Sequence, residues 1–231
     1  MTTIAIVGAG RGLGVAAARK FGAEGFDIAL ISRSQEHVDD LAADLTSEGL
    51  SVRGYAASVR DATTLASALD QASQELGPIE VLQYSPIPQR EFLRPVLDTT
   101  VADLAAAVEF SLYGSVTAVN QVLPDMRTLG RGTVLFVNGG SGARPNAQVA
   151  GTSIAFAGEG AYAIMLHDVL ASENVHVGQL IIPGAITPGH PTNDPAVLAD
   201  TLWGMHIGRD TFRVYTEALD VQPPGPPLIR T

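Results

Sequence analysis

Apolar and polar positions along the chain switch repeatedly between a two-residue and a 3.6-residue period. Thr3-Ile4-Ala5-Ile6-Val7 is an unbroken apolar run, the pattern of a strand buried on both faces, and Val15 to Phe21 then takes up a helical period. The same exchange recurs down the sequence. A second strand is predicted over 26–31, followed by a helix over about 35–48 with Val38, Leu41 and Leu45 on one face. A third strand over 51–56 leads to a helix over 62–76 striped by Leu65, Leu69 and Leu76, which Gly77-Pro78 stops. Residues 79–84 form the fourth strand; Pro86, Pro88 and Pro95 then hold an extended loop. Thr100-Val101-Ala102-Asp103 has the form of a capping box and opens a long helix to about Met126. A fifth strand over 132–138, a helix over 152–172 and a sixth strand over 175–182 complete the alternation. Beyond it, 195–206 has a helical pattern, 211–218 alternates as a strand does, and the proline-rich 221–231 is an extended tail. Such alternation specifies an α/β fold, a parallel sheet with helices on both faces, in one domain spanning 1–231.

The turn between the first strand and first helix, Gly8-Ala9-Gly10-Arg11-Gly12-Leu13-Gly14, carries the first functional signal. Glycine permits positive φ and close backbone approach, and a helix N-terminus aims unpaired N–H groups and partial positive charge at whatever lies above it. Together these suit a phosphate, so the fold is expected to be of the Rossmann type, a doubly wound three-layer α/β/α dinucleotide-binding domain. The common G-x-G-x-x-G spacing fails in both registers, because Leu13 or Val15 occupies the third glycine position. Gly8-x-x-x-Gly12-x-Gly14 fits instead, and in this the turn resembles that of the short-chain dehydrogenase/reductase family.

Composition narrows the partners. The 231 residues are 46% hydrophobic with a net charge of −10, which argues against nucleic acid or an anionic membrane as partner. There are no cysteines, hence no disulfides or thiolate metal sites, and His37, His167, His176 and His206 lack ligand spacing. No metal is expected. With no signal peptide ahead of Thr3, the protein is expected to be soluble and cytoplasmic.

The end of the second strand bears on the cofactor. In a Rossmann-type fold an acid there binds the ribose 2′-hydroxyl of NAD; here the segment is Ser32-Arg33-Ser34. Arg33 and Arg11 can grip a 2′-phosphate while the two serines donate hydroxyls, so NADP(H) is expected over NAD(H). The resemblance implies further contacts. Ser58-Val59 stands where the family has the Asp-Val that reads adenine, and Gln83-Tyr84-Ser85-Pro86 stands where it has Asn-Asn-Ala-Gly. Pro183-Gly184-Ala185-Ile186-Thr187 is close to the family's Pro-Gly-x-x-x-Thr, which holds the nicotinamide carboxamide. The cofactor contacts so implied are Gly8, Gly10, Arg11, Gly12, Leu13, Gly14, Ser32, Arg33, Ser34, Ser58, Val59, Ser85, Pro183, Gly184, Ile186 and Thr187. Residues 184–207 then resemble the family's substrate lid.

The catalytic end departs from the family. Its members carry a serine after the fifth strand and a Tyr-x-x-x-Lys on the next helix, in which the lysine lowers the tyrosine pKa. This chain has Ser141 displaced by about two residues, Phe156 in place of the tyrosine and Gly160 in place of the lysine; the family's active-site asparagine maps to Ser111. Tyr162 lies about 600° around the helix from Phe156 and reads as a packing residue. The candidates for a substitute proton donor are Tyr84, which equally fits a buried core position, Ser141 and His190, with Asn138 as a candidate orienter. Because a positioned general acid contributes about 10² to 10⁴ in rate, a site without the tyrosine can still transfer hydride. The expected function is an NADP(H)-dependent oxidoreductase with a non-standard site, acting on a small carbonyl or alcohol. The alternatives are a catalytically inactive NADP(H)-binding sensor or partner-binding protein, and an inactive member of a mixed oligomer. A homodimer or homotetramer is implied by the family's usual helical interface.

Overall fold

The computed structural model describes residues 2–219; the proposed tail 221–231 lies outside them. Seven strands form one parallel sheet in the order β3-β2-β1-β4-β5-β6-β7. They are β1 Thr3–Val7, β2 Asp27–Ser32, β3 Val52–Ala56, β4 Ile79–Tyr84, β5 Gly132–Gly139, β6 Val175–Ile182 and β7 Arg213–Tyr215. The connecting helices are α1 Leu13–Ala23, α2 Gln35–Ser47, α3 Ala62–Leu76, α4 Val101–Val108, α5 Gly114–Leu129, α6 Ala150–Leu170 and α7 Pro195–Gly208.

Alternate residues of each strand feed opposite cores, as a sheet covered on both faces requires. In β1, Ala5 and Val7 pack with Leu65, Val122 and Phe136 under α3, α5 and α6. Ile4 and Ile6 pack with Phe21, Leu41 and Leu202 under α1, α2 and α7. The strand order reverses between β1 and β4, and in such sheets ligands bind at that switch point, outside the carboxyl ends of the strands.

Two departures from the sequence reading have local causes. The long helix is interrupted by a π-helical segment, Glu109–Tyr113, where Gly114 packs so closely on Tyr84 and Val59 that a Cβ there would lie 2.5 Å from the Val59 carbonyl oxygen. The capping box itself is formed, with Thr100 Oγ1 accepting from the Asp103 amide and Asp103 Oδ2 accepting from the Thr100 amide. The last strand is shorter than 211–218, because the residues after Tyr215 turn to the loop before α7. Thr216 Oγ1 donates to Asn193 Oδ1 at 2.6 Å, and Thr192 Oγ1 donates to Glu217 Oε1 at 2.5 Å.

Helix α6 and the short turn after it, Ala150–Glu173, are long and apolar enough to cross a membrane. The helix instead packs on β6 and buries Ala155, Phe156 and Ala163 within the domain. Its outer face leaves Ile154, Met165 and Val169 exposed.

Candidate functional site

The glycine turn sits where β1 and β2 end together. The Gly8 and Ala9 amides both donate to the Ile31 carbonyl, at 2.9 and 3.0 Å. Gly8 has φ +90°, and a Cβ on it would fall 2.5 Å from the Pro86 nitrogen. Only glycine lets the loop after β4 cross the turn this closely. Gly10 and Gly12, by contrast, face open space, with nothing within 4 Å of where their Cβ atoms would be. No side chain caps the N-terminus of α1. Open glycines beneath an uncapped helix end suit a pyrophosphate.

That turn is the floor of a cleft of about 650 Å³. Of the residues singled out from the sequence, the cleft brings together Gly8, Gly10, Arg11, Gly12, Leu13, Gly14, Ser85, Ser141, Phe156, Gly184 and Ile186. Its remaining walls are mainly apolar: Ile87, Leu93, Val137, Val149, Ile182 and Pro188. Asn138 and Thr152 also line it, and Ser141 Oγ donates weakly to Thr152 Oγ1 at 3.5 Å.

The other expected residues lie elsewhere. Ser32, Arg33 and Ser34 follow β2 at the same end of the sheet, with Arg33 exposed and Ser34 Oγ capping α2 through the His37 amide. The Gln89 amide, in the orientation that satisfies both its neighbours, accepts from Arg33 Nη1 at 2.7 Å, so Arg33 leans toward the loop after β4. Arg11, at the rim of the cleft, is exposed and stands 3.5 Å from Asp44, a pair of little energetic weight. Ser58 follows Ala57, whose amide donates to the Ser32 carbonyl, and Val59 is buried against Gly114. Pro183 accepts from Asn193 Nδ2 through its carbonyl, and the Thr187 amide donates to the Asn193 carbonyl.

Two expected proton donors are not brought to the cleft. Tyr84 is 1% exposed and its hydroxyl donates to the Phe110 carbonyl at 2.5 Å. Burial first, and then the charge of Glu159, push its phenol well above the usual value, so Tyr84 is a core residue. Tyr84→Phe should lower stability by about 1 kcal/mol in chemical denaturation and leave any nicotinamide turnover unchanged. His190 lies in the loop before α7, where Nδ1 accepts from the Asn193 amide at 3.1 Å and Nε2 stands 3.7 Å from Glu217 Oε1. Tyr162 packs edge-on against Phe136 at 6.4 Å, in keeping with a packing role.

Behind the cleft runs a polar chain that sequence reasoning missed. Arg213 Nε donates to Gln179 Oε1 at 2.7 Å, Gln179 Nε2 to Asn138 Oδ1 at 2.7 Å, and Asn138 Nδ2 to Glu159 Oε1 at 3.0 Å. Ser111 Oγ donates to the other Glu159 oxygen. Gly160 makes room for this chain: a Cβ there would stand 3.3 Å from both Arg213 Nη2 and Gln179 Nε2. Glu159 is 1% exposed, and burial raises its pKa to about 7, against the opposing pull of the Ser111 and Asn138 hydrogen bonds. One signal was present in the sequence. Glu159 stands one turn after Phe156 within the apolar stretch 154–166, of which it is the one acid, and it is buried.

The profile of the short chain dehydrogenase family matches residues 2–194. A 2,3-dihydro-2,3-dihydroxybenzoate dehydrogenase of Bacillus subtilis is 25% identical over 228 residues, covering 96% of this chain and 80% of that one. Among solved structures, a short-chain dehydrogenase from Rhodopseudomonas palustris superposes with TM-score 0.82 at 24% identity, covering 96% of this chain and 98% of that one. A metagenomic short-chain oxidoreductase solved in complex with NADP gives TM-score 0.79 at 20% identity, covering 92% and 96%. With its profile matched over most of its length, the chain belongs to the short-chain dehydrogenase family.

Proposed function

We propose that the protein is an NADP(H)-dependent oxidoreductase of non-standard active site, acting on a small, largely apolar carbonyl or alcohol. The observation that carries this reading is the uncapped α1 N-terminus above Gly10 and Gly12, opening into a cleft whose far wall is Asn138, Ser141 and Phe156. Backbone amides of Gly12, Leu13 and Gly14 would hold the pyrophosphate, with Arg11 and Arg33 on the 2′-phosphate and Ser32, Ser34 and Ser58 around the adenosine. Ser85, Pro183, Gly184, Ile186 and Thr187 would frame the nicotinamide end. When bound, the cofactor supplies or accepts the hydride.

The chain's own residues then orient and exclude. Phe156 keeps an aromatic wall but has no proton to give, so Ser141 is the hydroxyl placed to hydrogen-bond a substrate oxygen. Apolar walls from Ile87, Leu93, Val149 and Ile186 exclude water and charged substrates. Loop 184–194 and α7 serve as the lid.

The test is binding. NADPH should bind about tenfold tighter than NADH, and Arg33→Ala should narrow that gap, since a hydrogen bond to a charged group contributes about 1.5–3 kcal/mol. Equal affinities in the wild type contradict the phosphate assignment. With a panel of small carbonyls, Ser141→Ala should lower kcat; unaltered turnover removes Ser141 from the site. The absence of the tyrosine and lysine at Phe156 and Gly160 favours a second reading, a non-catalytic NADP(H) sensor, for which NADPH binds but no carbonyl is turned over.

We further propose a homo-oligomer through the exposed apolar face of α6. Met165→Glu should shift the protein toward monomer in analytical ultracentrifugation, and an unchanged sedimentation coefficient contradicts that interface.

A further inference from the structure

Glu159 has no assigned part in the site, yet its surroundings are organised for it. The hydrogen bonds described above all point one way: from the Arg213 guanidinium through Gln179 and Asn138 to the carboxyl, with Ser111 donating from the other side. Every contact given to the carboxyl is a donor, the arrangement a carboxylate requires and a protonated acid does not. Among the described residues no cation lies in ion-pair contact with it; Arg213 reaches it only through two amides. The other titratable group facing it is the Tyr84 phenol, from β4. Of the residues lining the cleft, Asn138 is hydrogen-bonded to this carboxyl and Phe156 stands one helical turn before it.

The sheet order decides which part of a dinucleotide meets this wall. With a pyrophosphate on the β1 turn and the adenosine over β2 and β3, the nicotinamide would extend toward β4, β5 and β6, the side of the cleft lined by Asn138 and Phe156. An oxidised nicotinamide ring is cationic and a reduced one is neutral. A negative charge behind an apolar wall is poorly screened and discriminates between them.

We propose that Glu159 is a positioning charge for the redox centre, a buried carboxylate behind Asn138 and Phe156 that favours the oxidised, cationic nicotinamide over the reduced one. This rests on the cofactor reading above. The carboxyl gains and loses its proton near neutral pH, so the preference varies with pH. By linkage, oxidised cofactor entering a protein with protonated Glu159 expels that proton to solvent, and reduced cofactor does not.

The experiment measures the Kd values of NADPH and NADP⁺ for the wild-type protein by calorimetry. The ratio Kd(NADPH)/Kd(NADP⁺) should rise about tenfold from about pH 5.5 to about pH 8.5 and be pH-independent in Glu159→Gln. Taking the ratio cancels whatever the two ligands share, including titration of the 2′-phosphate and any loosening of the fold. Should the variant not fold, calorimetry of the wild type at about pH 7 in two buffers of different ionisation enthalpy reads the proton directly. Net release with NADP⁺ exceeding that with NADPH is expected. A ratio that stays flat in the wild type, or that varies equally in both proteins, overturns the inference while leaving the cofactor reading intact. Failure of both dinucleotides to bind at any pH overturns the two together.

Discussion

Glu159→Gln should stabilise the protein by about 3 kcal/mol at about pH 8 and leave it nearly unchanged at about pH 4. The carboxyl titrates at 4.5 in the unfolded chain and at about 7 when folded. Between those values the folded state binds more protons, so stability falls as pH rises; the contribution is complete below 4.5 and gone above about 7. His176 works against this slope. Burial, and then the charges of His167, Arg209 and His206, lower its pKa from 6.5 to about 4, so its contribution is complete above 6.5 and is lost as pH falls to about 4. The wild-type profile should therefore be shallow over this range. The difference between wild type and Glu159→Gln isolates the carboxyl, and thermal melts across the pH range should show a gap of about 6–12 °C opening toward high pH. Parallel profiles contradict the buried charge.

The glycine turn gives the second large effect, through a contrast. Gly8→Ala combines a left-handed backbone, strained by about 1–2 kcal/mol for any residue with a Cβ, with overlap on the rigid Pro86 costing about 1–3 kcal/mol more. Denaturation should show a loss of about 2–5 kcal/mol, and dinucleotide binding should fail with the turn. Gly12→Ala meets nothing within 4 Å and keeps φ at −86°, although its ψ of −111° is one that residues with a Cβ rarely adopt. With no steric overlap to add, its stability loss should stay below that of Gly8→Ala, at about 1–3 kcal/mol from the backbone alone. Its new methyl group instead fills the space a pyrophosphate would take, so NADPH affinity should drop at least about tenfold. Equal stability losses in the two variants would make both glycines structural. Unchanged affinity in Gly12→Ala would place the ligand elsewhere.

The parts of the fold legible in the sequence are those where one local pattern decides. Ile4, Ala5 and Ile6 between them face both cores, which is why the run is apolar throughout, and the family match over residues 2–194 bears out the glycine spacing that pointed to it. Ends set by tertiary contacts were not legible. The π segment depends on Gly114 meeting Tyr84, and the short β7 depends on Thr216 and Glu217 reaching the loop at Thr192 and Asn193. The place of Tyr84 was not legible for a related reason. A tyrosine at a strand's carboxyl end faces either the cleft or the helical layer, and the Phe110 carbonyl, 26 residues away, decides for the layer. The polar chain from Arg213 to Ser111 draws one residue from each of five elements, so no spacing along the sequence announces it. It is visible only once Gly160 is seen to leave the room that Gln179 and Arg213 enter.

All of this depends on a dinucleotide lying across the β1 turn with its nicotinamide toward Asn138 and Phe156. Crystals grown with NADP⁺ test that most directly. The pyrophosphate is expected against the amides of Gly12, Leu13 and Gly14, the 2′-phosphate beside Arg33, and the nicotinamide ring against the wall formed by Asn138 and Phe156. Density for the cofactor outside this cleft, or a nicotinamide ring lying over β2 and β3, would contradict the account.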